Sequence, residues 1–259
     1  MNRPVCVSMA SWPGLRHEEV AQRLAAEVRE PLFGSLKLDH VQLVPQCFGL
    51  LDEAVIDGLM QALPNSRLRL HASVRVQRTG EVVDLIAFDD RRAWFDQAAR
   101  LSRRLRAPAY SAHPGRREQG TLHDLVDHAR RCADLFDCPV AIEGQYPTRA
   151  GAGRELLVSN WADYRFLFDS GVPYALDLSH VNILAQRTGA VELGLLSEML
   201  GCERCLEVHV SDNDGSRDEH RICESWPWWY SLLLEAHSQA VIFSEGVQRR
   251  RPASTASAP

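Results

Sequence analysis

Short apolar runs punctuate the chain, and nearly every one is followed by a stretch with helical spacing. The runs fall at 4–10, 40–44, 67–73, 108–115, 138–144, 172–180, 205–211 and 240–246. Each is five to nine residues long and rich in Val, Ile, Leu or Tyr, which predicts buried strands. Between them, 17–28, 52–63, 89–105, 121–136, 160–169, 190–200 and 226–237 recur with the three-to-four-residue apolar spacing of amphipathic helices. Asp52 is placed to cap the second helix, and Thr121 with Asp124 forms a capping-box pattern at the fourth. Eight strands alternating with helices predict parallel pairing and right-handed crossovers. They close most naturally into a (β/α)8 TIM barrel. The eighth helix is expected to be missing or vestigial, because the chain after Glu245 reads GVQRRRPASTASAP. The expected organisation is one barrel domain over 1–246 and a disordered tail over 247–259, with the arginine run 249–251 a solvated part of it.

Chemistry in such a barrel collects at the C-terminal ends of the strands. Those ends offer His71, His113, Glu143, Asp177, His180, His209 and Glu245. The loop after the seventh strand adds Asp218 and His220 within EVHVSDNDGSRDEH (207–220). SDNDGS is also ordinary turn chemistry. A turn leaves His209, inside an apolar strand, and the closing D-E-H without a role. Several carboxylates facing one cavity raise each other's pKa, and a divalent ion removes that repulsion. The nine residues are therefore candidate metal ligands. Glu143, Asp177, His209 and Glu245 can surround one ion. His71 and His113 can form a second site bridged by Glu143, and His180, Asp218 and His220 a third. Imidazole and carboxylate donors suit manganese, iron or zinc, one to three ions per chain. His17, His40, His123, His128 and His237 fall on helices or strand starts and read as structural or solvated.

Composition narrows the partners. The chain has 259 residues, a net charge of −5 and 24% charged residues. That gives no electrostatic footprint for a polyanion, so nucleic acid is not expected as a partner. No apolar run is long enough for a membrane span, and the N-terminus lacks a signal-peptide pattern, so the expected location is cytoplasmic. Seven scattered cysteines include one C-x-x-C, Cys202 to Cys205, without a second pair, and read as reduced and structural. Arg116 and Arg149 follow strands on the catalytic side and are candidate substrate-binding residues, as is Trp226 in the WPWW cluster. That cluster could stack on a substrate, lid the site or form a homodimer contact.

The motifs HAS (71–73), AHPG (112–115), IEG (142–144), LDLSH (176–180) and HVSDNDGSRDEH (209–220) resemble those of the xylose isomerase-like TIM-barrel superfamily. That group includes sugar-phosphate isomerases and epimerases and the family 2 AP endonucleases. Resemblance to its one-metal epimerases implies an ion held by Glu143, Asp177, His209 and Glu245. The two glutamates, Glu143 and Glu245, would act as catalytic acid and base on a small carbohydrate or sugar phosphate. This isomerase/epimerase-like activity is the leading expectation. Resemblance to the AP endonucleases covers all nine positions and implies a trinuclear zinc phosphodiesterase. LDLSHVNILAQRTGAVEL and EGQYP are similar to the multinuclear non-heme iron oxidases, which implies oxidation of a cysteine-containing peptide delivered by a partner protein. The chain departs from the superfamily at 222–233, where ICESWPWWYSLL stands in place of a G-E-G-x-I-D-W-like segment.

Overall fold

The computed structural model describes residues 3–148 and 155–248. Eight strands, β1 (Val5–Ser8), β2 (Lys37–Leu43), β3 (Arg67–Leu70), β4 (Tyr110–Ala112), β5 (Val140–Glu143), β6 (Tyr174–Asp177), β7 (Cys205–Val210) and β8 (Val241–Ser244), form one parallel sheet. Every strand pairs with its neighbours in sequence except β3 with β4, and β1 pairs with β8, Val5 opposite Ile242 and Val7 opposite Ser244. The ring is nearly closed. Between β3 and β4 it is joined by the bridge of His71 with Ser111 and by Ala72 N–H donating to Ser111 O at 2.7 Å. The strands are buried on both faces, which is why they read as near-continuous apolar runs rather than alternating ones.

Among the described residues seven α-helices cover the outside: α1 (His17–Arg23), α2 (Glu53–Ala62), α3 (Arg92–Leu105), α4 (Leu122–Phe136), α5 (Trp161–Asp169), α6 (Leu178–Thr188) and α7 (Leu193–Gly201). Side chains satisfy the first-turn N–H groups where the sequence offers an oxygen. Asp52 accepts from Val55 N at 3.0 Å and Asn160 from Asp163 N at 3.0 Å. The expected capping box forms between Thr121 and Asp124. Residues 245–248 carry no helix, and 249–259, where the disordered tail was expected, lie outside the described residues. Among the described residues no helix is long and apolar enough to cross a membrane.

Local structure departs from the sequence reading in four places. The sixth strand stops at Asp177, and LSH opens α6 instead of extending the strand. The cause is Asp177, whose Oδ1 accepts from Ser179 N (2.7 Å) and His180 N (3.1 Å) and caps the new helix. The segment expected as a helix at 226–237 is a 3-10 stretch, Trp228–Leu234, entered through Pro227. A small antiparallel hairpin, Arg29–Glu30 with Gly34–Ser35, lies between α1 and β2. His40 is not at a strand start but inside β2, with its Nδ1 2.6 Å from Arg69 Nη2. All seven cysteines are free, in keeping with a reduced, structural role.

Candidate metal centre

The barrel delivers all nine sequence-derived ligand candidates to one end. His71 directly follows β3, His113 follows β4, Glu143 ends β5, Asp177 ends β6, His209 lies in β7 and Glu245 follows β8. His180 comes from the first turn of α6, a different geometry from the strand end expected for it. Asp218 and His220 return on the β7 loop, which is clasped at its base by paired Asp212 and Arg221 backbone bonds of 2.7 and 3.0 Å. Within the loop, Asn213 Oδ1 accepts from Gly215 N, and Asn213 Nδ2 donates to Ser179 O at the start of α6. SDNDGS is thus both a proper turn and the arm that swings Asp218 and His220 inward.

Glu143 is the hub. Its Oε2 lies 3.5 Å from His71 Nε2, 3.6 Å from His113 Nε2 and 3.7 Å from His209 Nδ1. Its Oε1 lies 3.3 Å from His180 Nδ1. On the far side, His180 Nε2 is 3.4 Å from Asp177 Oδ2 and 3.5 Å from Asp218 Oδ2. Asp218 Oδ2 is 2.9 Å from His220 Nε2, and His220 Nδ1 is 3.4 Å from Glu245 Oε2. His71–His113–Glu143, Glu143–Asp177–His180 and Asp177–His209–Glu245 each bring donor atoms within 4.8 Å of one another, the separation one ion needs. Glu143 Oε2, His209 Nδ1, Asp218 Oδ1, His220 Nδ1 and Glu245 Oε1 are buried and make no hydrogen bond. Buried polar atoms are normally paired. Five orphans within one cluster of donors fit cations as their missing partners.

Electrostatics agrees. Burial, with Asp177 and Glu245 nearby, pushes Glu143 up to about 8 despite His209 and His180. Burial raises Glu245 as well. His71 and His113 are pushed down by burial and by neighbouring imidazoles, His113 to about 4, so both offer free lone pairs. Burial opposes charge on His209 and His220, but carboxylates outweigh it and hold them up to about 10 and 9. Protons stand in this cluster where a metal would put charge. Two of the five non-glycine residues with positive φ among the described residues stand here. Ala72 (φ 50°), next to His71, and His220 (φ 46°) are left-handed without being glycine.

Around the donors lies a second set of contacts. His71 Nδ1 meets Ser111 Oγ at 2.9 Å, and His180 Nδ1 donates to Gly144 O at 2.9 Å. His209 Nε2 faces Glu207 Oε2 at 3.0 Å, and Glu207 also accepts from Gln42 and Arg69. Gln42, Arg69 and Glu207 were not singled out from sequence. The available signal was parity: Arg69 and Glu207 stand two residues before His71 and His209 on the same strands and so share their inward face.

The candidate substrate residues are placed less decisively. Arg116, three residues beyond His113, precedes the 3-10 turn Arg117–Gln119 and bridges to Leu156. Trp226 is 73% exposed, with its ring edge-on to Tyr230 at 4.3 Å. Arg149 lies outside the described residues. Sequence reading missed Tyr146, whose ring sits 4.7 Å from that of His180. Tyr146 also borders a cavity of about 450 Å³ lined by Pro147, Thr148, Arg187, Asp214, Ser216 and Arg217.

No protein-family model and no curated protein matches the chain. Solved structures do. A D-tagatose 3-epimerase-like protein superposes with a TM-score of 0.62 at 16% identity, over 96% of this chain and 92% of that one. The family 2 AP endonuclease of Brucella melitensis gives 0.59 at 16%, covering 95% and 94%. A xylose isomerase domain protein of Alicyclobacillus acidocaldarius gives 0.59 at 15%, covering 97% and 92%. At these identities the likeness speaks for architecture alone, and the architecture that this chain shares with them is the (β/α)8 TIM barrel.

Proposed function

We propose that this chain is a divalent-metal-dependent hydrolase that binds three ions at its barrel mouth and cleaves a phosphate ester on a small substrate. The carrying observation is that nine donors line one barrel mouth, seven of them in three overlapping groups spaced for an ion, and that five of their buried atoms have no protein partner. One ion with four ligands leaves His71, His113, His180, Asp218 and His220 unexplained. The donor set of imidazoles and carboxylates, without thiolate, fits zinc, manganese or iron. His71, His113 and Glu143 would hold one ion, Glu143, Asp177, His209 and Glu245 a second, and His180, Asp218 and His220 a third. Bound ions supply Lewis acidity at phosphoryl oxygens and an activated water.

The chain's own residues do the rest. Glu143 links the first two groups and sets their spacing. Asp177 spends Oδ1 on the α6 cap, which leaves Oδ2 turned to His180. Burial of Glu143, Asp177, His209 and Glu245 keeps bulk water away from the reacting atoms. Arg187 and Arg217 line the cavity beside Tyr146 and, released from Ser216 O and Glu219, would donate to a substrate phosphate. A net charge of −5 favours a small ester over a duplex nucleic acid.

One observation favours a second reading, isomerase/epimerase-like proton transfer on a carbohydrate. Glu143 and Glu245 approach the same His209 Nδ1, at 3.7 and 4.0 Å, and both carboxyls are held above their usual range. Two such groups can take and return a proton beside a carbonyl. The experiment is metal analysis of protein purified without added metal, alongside assays on small phosphate esters and on ketoses. Three ions with ester cleavage supports the proposal. One ion with ketose epimerisation supports the second reading and overturns the first. Two or three redox-active irons with neither activity overturns both and turns attention to peptide oxidation.

A further inference from the structure

We propose that Glu207, backed by Arg69, is the positioning residue that fixes His209 to bind its ion through Nδ1. The inference rests on the reading of His209 as a metal ligand. Glu207 and His209 are two apart on β7 and point the same way into the barrel, one layer apart along its axis. Neither has solvent exposure. Glu207 Oε1 accepts from Arg69 Nη1 at 2.7 Å. Its Oε2 accepts from Gln42 Nε2 at 2.7 Å and faces His209 Nε2 at 3.0 Å. A carboxylate held by a guanidinium has only acceptor capacity toward the imidazole and draws the hydrogen to His209 Nε2, while Gln42 Nε2, 2.9 Å from the same nitrogen, spends its donor on Glu207 Oε2. The lone pair for a metal is then on Nδ1. That atom faces Glu143 Oε2 at 3.7 Å and Glu245 Oε1 at 4.0 Å and has no hydrogen-bond partner.

His71, Glu207 and His209 also bring donor atoms within metal-binding separation. Glu207 is not a direct ligand, because its two oxygens already accept three hydrogen bonds and His209 turns its N–H, not its lone pair, toward them. Arg69 is itself anchored from below. Its Nη2 meets His40 Nδ1 at 2.6 Å, and its guanidinium lies over the Phe243 ring at 5.3 Å. A chain of charged contacts, Arg69 to Glu207 to His209, therefore runs along the barrel axis from the N-terminal mouth to the ligand cluster. Its geometry is that of a carboxylate–histidine–metal relay, in which loss of the outer carboxylate typically weakens metal binding 10- to 100-fold.

Two measurements test this. In wild-type protein loaded with cadmium-113 and labelled with nitrogen-15, His209 should show one-bond coupling to the metal through Nδ1, with Nε2 still protonated. In Glu207→Gln, cobalt(II) affinity should fall by at least about 10-fold, with a changed visible spectrum and unchanged circular dichroism of the metal-free protein. Glu207→Gln leaves the Arg69 charge buried and unpaired, so the double variant Arg69→Gln/Glu207→Gln is measured beside it and should show the same loss. Should neither variant fold, the wild-type coupling decides alone. Coupling through Nε2, or affinity and spectrum unchanged in a folded variant, overturns the positioning role while leaving the metal centre intact. Wild type that takes up neither metal overturns the metal centre and this inference with it.

Discussion

Replacing Glu143 by Gln should make the metal-free protein more stable while destroying its response to metal. The substitution keeps the side chain's size and removes its charge. In the metal-free fold, burial raises the Glu143 carboxyl from 4.5 to about 8. A carboxyl with a raised folded-state pKa carries no penalty below pH 4.5 and a growing one as pH rises towards 8. At pH 7 that penalty is at most about 3 kcal/mol, at 1.36 kcal/mol per pKa unit. For a chain of this length, relief of that penalty raises the melting temperature by roughly 6–12 °C. The gain should shrink to nothing at pH 4.5. With metal the sign reverses. Wild type gains about 4 kcal/mol at a thousandfold excess of free ion over its Kd, and Glu143→Gln should gain little, having lost the hub that touches His71, His113, His180 and His209. Differential scanning calorimetry of chelated and metal-loaded samples at pH 4.5 and 7 reads all four states. A metal-free variant no more stable than wild type at pH 7, or one that responds to metal as wild type does, refutes the reasoning.

Further predictions concern the frame around the site. Gly144→Ala would place a Cβ 2.5 Å from Tyr164 Oη and 2.6 Å from its ring, against a fully buried side chain. The expected cost is about 1–3 kcal/mol in thermal unfolding. The Gly144 carbonyl that orients His180 should shift with it, so metal analysis should show fewer ions per chain, with those bound at His71 and His113 retained. His17, at the start of α1, is buried, and burial lowers it to about 4, against a backbone hydrogen bond at Val44 that raises it. The fold keeps this imidazole neutral, so its contribution is intact above pH 6.5 and lost as pH falls towards 4. Over that window urea unfolding of wild type should lose about 3 kcal/mol more than His17→Gln, and parallel curves would contradict it.

The barrel was legible because its physics is local in sequence. Fully buried parallel strands must be apolar throughout, and the helices between them must be one-sided, so both periods appear directly in the text. Six of the nine ligand candidates, His71, His113, Glu143, Asp177, His209 and Glu245, were legible for a related reason: each lies within one residue of a strand end, where the topology leaves few directions to point, and Asp218 and His220 were legible only from the D-E-H that closes the β7 loop. His180 shows the limit. Its proximity to the site was foreseen, but its helical placement depends on Asp177 spending one oxygen on the backbone of Ser179 and His180, a choice made by side-chain geometry. The relay through Glu207 and Arg69 was hidden by the opposite habit, that charged residues in strands point to solvent. In a closed barrel both faces are buried, and a charge on the inner face needs a partner across the bore, as Arg69 has in Glu207 at 2.7 Å. The 3-10 form of WWYSLLL is a packing outcome with no separate signal in the spacing of its residues.

The measurement that bears most directly on the central claim is metal stoichiometry. Protein purified without added metal, and the same protein stripped and titrated with zinc or manganese, should be analysed by elemental mass spectrometry. The account predicts saturation at three ions per chain, falling in His180→Ala and in His71→Ala as separate groups are removed. A folded protein that takes up no ion under either condition would contradict it.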